Sequence, residues 1–121
     1  MPFVFVWGIP ENATDAALLQ LRRNIILSLI ETMKVDPGWV RVFFPRDLLN
    51  DPAQPEDGNN TIYMSIETGM FYGEPENSLD PKAVTQAIAH IVWQTFEGQY
   101  EVECFIGNHS PSWVSLIHAK S

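Results

Sequence analysis

One cysteine in 121 residues rules out an internal disulfide, because Cys104 has no second sulfur to meet. Beside it stand only His90, His109 and His118, none at the Cys/His spacing that zinc sites use, so a metal centre is not expected. Basic residues are scarce as well: seven Lys and Arg face fifteen Asp and Glu, a formal charge of -8. Such a surface repels phosphate backbones and anionic head groups, which excludes nucleic acid and membrane surfaces as expected partners. No apolar run approaches the roughly 20 residues of a membrane span. The apolar start has no basic stretch ahead of it and is about a strand long, which argues against a signal peptide. A soluble cytoplasmic protein is the expectation. Nucleotide-binding, nucleophile-elbow and zincin motifs are missing too, and no cofactor is expected.

What remains is a chain that is 45% hydrophobic and rich in aromatics, long enough for one modest core and too short for two, so residues 1–121 are read as one domain. Much of the acid lies in DPAQPEDGNN and GEPENSLD, which read as solubilising loops, the first with an Asp57-Gly58 turn. Between loops the periodicity alternates between two and 3.6. Residues 3–7 place Phe3, Phe5 and Trp7 on one face and Val4 and Val6 on the other, a strand apolar on both sides and therefore central. A long amphipathic helix starts at Thr14 or Asp15 and runs to Met33 on Leu18, Leu21, Ile25, Ile26, Leu29 and Ile30. After the Asp36-Pro37-Gly38 turn, residues 39–44 read as a second strand, 61–68 as a third and 100–106 as a fourth. Asp80-Pro81 opens a second helix, and Gly98 suits its left-handed end.

The order is strand, helix, strand, written twice, in units of about 2–45 and 61–106. Two β-α-β units with right-handed crossovers put both helices on one face of a four-stranded mixed sheet, an α+β fold of two layers. The opposite face is left bare. At about 25 cal/mol per Å² of apolar surface, that is a reason to oligomerise. The tail at 107–121, with Trp113, Val114, Leu116 and Ile117 and no helical period, is a candidate to cover a neighbouring subunit's sheet edge.

Pro2 stands directly behind the initiator methionine. Met-Pro is a bond that methionine aminopeptidases generally cut. The product would carry a secondary amine, which is a base, whereas an acylated proline nitrogen is not. The proline at position 2, the two β-α-β units and the length near 120 together resemble the tautomerase superfamily, above all its single-chain members of macrophage migration inhibitory factor size. The resemblance implies removal of Met1, a trimer with sites near subunit interfaces, and Pro2 as general base and acid in keto-enol proton transfer on a small 2-oxo acid or enol. The alternative is a non-catalytic oligomeric binding protein on the same fold.

The chemistry explains the requirement: a secondary ammonium in an apolar pocket is desolvated, which disfavours its charged form and lets one group take and return a proton. Phe3, Phe5, Trp7, Phe71 and Tyr72 are candidate walls, or plain core. Lys34 matches a pocket lysine of the inhibitory-factor branch and could bind a carboxylate; it is equally a cation placed for the helix dipole. Arg41 could grip an anion with its planar fork, or form a surface ion pair. Thr68 and Gly69 match the place where the family passes backbone close to the proline; Gly69 also suits a turn. Glu103, sharing a face with Glu101, could tune the proline or orient a water, or be a surface carboxylate. Arginines that dehalogenase and hydratase relatives carry beyond the third strand are replaced by Gly69, Met70, Phe71 and Tyr72, which disfavours a substrate held there by paired arginines. In GNHSPSW, adjacency of His109 and Ser110 does not make a nucleophile and base, and a turn or interface role is expected for His109.

Overall fold

The computed structural model of the chain describes residues 2–46, 61–69, 79–113 and 115–120. The Asp57-Gly58 turn, the candidate walls Phe71 and Tyr72, and Val114 of the tail lie outside them.

Strand β1 (Phe3–Trp7) leads to helix α1 (Asp15–Met33), strand β2 (Arg41–Phe43), strand β3 (Thr61–Thr68), helix α2 (Pro81–Thr95) and strand β4 (Glu101–Asn108). The sheet order is β2-β1-β3-β4. Each β-α-β unit contributes a parallel pair, β1 with β2 and β3 with β4, and the two units join antiparallel through β1 and β3. The expected mixed four-stranded sheet is thus present, with the doubly apolar β1 at its centre.

Helix α1 begins where Thr14 accepts the Ala17 N–H at 3.1 Å, with Asp15 in the first turn favoured by the helix dipole. Leu21, Ile25, Leu29 and Met33, four residues apart, form its buried stripe. It stops when Lys34 turns left-handed at φ 57 and its N–H closes on the Ile30 carbonyl. Helix α2 repeats the scheme: Asp80 accepts the Lys82 N–H, Pro81 fills the first turn, and Val84, Ile88 and Val92 are buried. Past its end Gly98 takes φ 70 and bonds the Trp93 carbonyl, where a β-carbon would also meet the Trp93 ring at 2.7 Å.

The core lies between the helices and one sheet face, on Val4, Val6, Val42, Ile62, Met64 and Ile66. Two strands, β2 and β4, differ from the sequence reading at both ends. Trp39 belongs to a 3-10 turn, Pro37–Trp39, because Asp36 accepts the Gly38 N–H and the Trp39 N–H closes on the Asp36 carbonyl; β2 therefore starts at Arg41. Strand β4 runs past Ile106 through Gly107 and Asn108, which pair with Glu67 and Thr68. Residues 115–120 are exposed, Leu116 at 77% and Ile117 at 91%. Among the described residues no helix is long and apolar enough to cross a membrane.

Cys104 points from β4 to the helix side, where burial pushes its thiol up to about 12. The folded state thus holds a proton that the unfolded chain releases from about pH 9. Stability is full below that pH and falls as pH rises towards 12, by up to about 1.4 kcal/mol per unit. Denaturation of wild type and Cys104→Ala from pH 8 to 11 checks this (~3 units of range): the variant should lose stability less steeply, and equal slopes would refute it.

Candidate functional site

Because β1 and β2 run one way and β3 and β4 the other, the starts of the first pair and the ends of the second meet at one end of the sheet. Pro2 sits there, buried, one residue ahead of Phe3. Its carbonyl accepts the Arg41 N–H at 3.2 Å, tying it to the head of β2. The pairing of Phe3 with Glu67 brings Thr68 level with it on the other side.

Four of the other expected site residues gather at this end. Thr68 is 3% exposed and ends β3, followed by half-buried Gly69. Arg41 lies on the open sheet face beside Phe3, its Nη1 donating to the carbonyls of Gly38 at 2.7 Å and Val40 at 3.0 Å. Helix α1 returns the chain from the far end, which delivers exposed Lys34 near the head of β2. The left-handed backbone of Lys34 costs on the order of 1 kcal/mol, but Glu97 takes the same φ of 57 after α2, so the conformation belongs to the duplicated helix ending.

Glu103 is not with them. It pairs with Tyr63, which pairs with Trp7, at the opposite end of the sheet and about 13 Å along the strand from Phe3. Trp7, a candidate wall, is at that far end too. Phe3, Phe5 and Trp7 alternate with buried Val4 and Val6 and lie on the open face.

The sequence reading missed a polar cluster beside Pro2. Across the open face, Arg41, Phe3, Glu67 and Gly107 stand in register. The Glu67 carboxylate leans over Gly107, where a β-carbon would overlap it, and pairs with the His109 imidazole. His109 is anchored by its N–H to the Thr68 carbonyl at 2.7 Å. Its neighbour Ser110 turns instead to Ser112, Oγ to Oγ at 2.8 Å. Asn108, level with Thr68, has a buried Oδ1 without a hydrogen-bond donor among the described residues, an acceptor available to an incoming N–H or O–H group. Period-two alternation shows Glu67 and Gly107 as odd positions of their strands, but only the β3-β4 register makes them neighbours.

Gly69 is required here by close approach: a β-carbon would come 2.5 Å from the His109 carbonyl oxygen. That oxygen is backbone and cannot swing aside. Gly69→Ala should therefore lower unfolding free energy by about 1–3 kcal/mol; a urea midpoint unchanged from wild type would refute the close contact.

No protein-family model and no curated protein sequence matches the chain. Solved structures do. A fused 4-OT wild type asymmetric trimer aligns with a TM-score of 0.73 over 94% of this chain and 91% of its own, at 8% identity. The macrophage migration inhibitory factor-like protein of Entamoeba histolytica gives 0.66 over 98% and 96%, at 7% identity. Pt0534, inactivated by 2-oxo-3-pentynoate, gives 0.68 over 94% and 90%, at 13% identity. At these identities the likeness is one of fold, and the fold of this chain is the tautomerase and macrophage migration inhibitory factor-like α+β fold.

Proposed function

We propose that the chain is a tautomerase-like enzyme that interconverts a small 2-oxo acid and its enol, with the Pro2 amine, freed by removal of Met1, as base and acid. The observation that carries this is the burial of Pro2 at the sheet end where Arg41, Thr68 and Gly69 converge. Burial disfavours the ammonium form, so the nitrogen keeps its lone pair near neutral pH. That nitrogen takes the proton from the carbon beside the 2-oxo group; the C–H electron pair becomes the new C=C bond and the carbonyl π pair moves onto oxygen, giving the enolate. The ammonium then returns the proton, to oxygen for the enol or to carbon for the keto form. Lys34 and Arg41 supply positive charge for the carboxylate and the transient enolate.

A 2-oxo acid is favoured because Pt0534, of like fold, is inactivated by 2-oxo-3-pentynoate. A homotrimer is favoured because fused 4-OT structures of the same fold are trimers, and because the helices leave one sheet face uncovered. In that assembly Glu103 reaches a Pro2 pocket only from a neighbouring subunit, and the exposed tail lies on a neighbour's sheet edge. The test begins with intact-mass measurement of the purified protein for Met1. Enol-to-keto conversion of an aromatic 2-oxo acid by wild type and Pro2→Ala follows; equal rates remove Pro2 from the mechanism.

A further inference from the structure

A second feature lies at the other end of the sheet, outside the C-terminal ends of the parallel pair β1 and β2. There the chain leaves β1 for α1 and leaves β2 through Phe44, Pro45 and Arg46, opening a cleft of about 420 Å³ walled by Trp7, Ile9, Leu18 and Phe44. A shallower recess of about 280 Å³ shares Leu18 and Phe44 and reaches Arg22 on α1. The crevice beyond the carboxyl ends of parallel strands is where α/β sheets commonly take ligands. The combined space is in the range of a small-molecule pocket.

Arg22 makes this more than a surface hollow. Its guanidinium lies over the Phe44 ring, 5.3 Å from the centroid. Its Nε is buried and has no hydrogen-bond partner among the described residues. A buried N–H left unpaired is costly, so the resting arrangement holds an unmet demand for an acceptor. Asp15 and Glu11 border the same hollows, yet neither forms an ion pair with Arg22 among the described residues. Asp15 is already favoured where it stands, in the first turn of α1. Arg46 lines the mouth and adds a second positive charge.

We propose that this cleft binds a small amphipathic carboxylate, its anionic head paired with the Arg22 guanidinium and its apolar body lying against Phe44, Leu18 and Trp7. A modest rotation of the guanidinium on the Phe44 face brings Nε–H and one Nη–H towards the carboxylate as a fork, the geometry at which arginine binds anions best. The apolar walls supply the remaining affinity and select against inorganic anions. The site is independent of Pro2 chemistry and stands whether or not the chain is a catalyst.

The experiment is an NMR titration of the ¹⁵N-labelled full chain with 4-phenylbutyrate, with the neutral 4-phenylbutyramide as control, reading the backbone amides of Gly8 and Ile9 and the Arg22 Nε–H resonance. The carboxylate should shift all three saturably and the amide should not. Arg22→Met, which keeps an apolar stem over Phe44, should weaken binding about tenfold or more, as expected for loss of a charge-assisted pair. Arg22→Lys, which keeps the charge and loses the fork, should fall between the two and serves if the methionine variant does not fold. Overturning results are shifts confined to the Pro2 end, equal response to the amide, unchanged affinity in both variants, or no response at about 10 mM probe, a level that reveals millimolar binding.

Discussion

Chains that keep Met1 are expected to convert enol to keto at least about 10²-fold more slowly than chains beginning at Pro2. The reason is electronic before it is steric. In a Met-Pro peptide bond the proline nitrogen shares its lone pair with the methionine carbonyl, so it can neither take a proton from carbon nor hold one to return. A free Pro2 nitrogen is a secondary amine in a buried position at the head of the central strand. General acid-base catalysis of this kind is worth about 10²–10⁴ in rate, so a loss of that order is expected without it. Pro2→Ala is a milder lesion. Alanine behind methionine is also processed and leaves a primary amine at the same place, so its rate should lie between wild type and the Met1-retaining form. Both forms can be made: a chain extended by a few residues ahead of Pro2 mimics retention, and intact-mass measurement establishes which nitrogen is free. An extended chain running at the wild-type rate would end the proposal, because no basic proline nitrogen would then exist. Loss in the extended chain with full activity in Pro2→Ala would instead assign the role to any terminal amine.

The sequence made some of this legible because the signals are local. Thr14 ahead of an apolar stripe and Asp80-Pro81 each act within one helical turn and mark an observed boundary, while Gly98 is left-handed as expected but lies past the Phe96 cap of α2. Pro2, Lys34 and Arg41 could be placed at one end from the chain path alone, since a β-α-β unit returns its helix to the start of the parallel partner strand. Where the reading slipped, a competing local or distant contact decided. Trp39 looked like a strand residue by apolar alternation, but the Asp36 side chain and carbonyl hold it in a turn. The fourth strand was expected to end at Ile106, with the tail beginning at residue 107, yet β4 runs on through Gly107, whose missing side chain leaves room for the Glu67 carboxylate. The Glu67–His109 pair and the far position of Glu103 both depend on the β3-β4 register, which joins residues some 40 apart in sequence and leaves no trace in periodicity. The orphaned Arg22 Nε was equally hidden, since Arg22 reads as an ordinary polar helix residue until Phe44 is seen beneath it.

Phe43→Glu is expected to change the assembly from three chain masses to one, leaving the single chain folded. The helices cover only one face of the sheet, and the other presents Phe3, Trp7, Phe43, Tyr63 and Phe105, between 37% and 51% exposed, with Phe5 stacked on Phe43 at a centroid distance of 5.4 Å. A contiguous aromatic surface of this kind is a contact surface, worth about 25 cal/mol for each Å² it removes from water. Phe43 lies on the edge strand β2, so a partner that covers this face also meets it. A glutamate there puts an unpaired charge into every copy of the interface, at several kcal/mol each, more than the aromatic contact it replaces returns. The core is built on the opposite parity, Val4, Val6 and Val42, and does not feel the change. Light scattering on a sizing column should therefore give three times the 13.7 kDa chain mass for wild type and one for the variant, while far-ultraviolet dichroism stays the same. A wild type that elutes as a single chain, or a variant that still elutes as three, would show that this face is not what holds the subunits together. If the variant is a folded single chain, its activity tests the position of Glu103 as well: a residue that reaches Pro2 only from a neighbour is lost with the assembly, so kcat/KM should fall even though Pro2, Lys34 and Arg41 are unaltered.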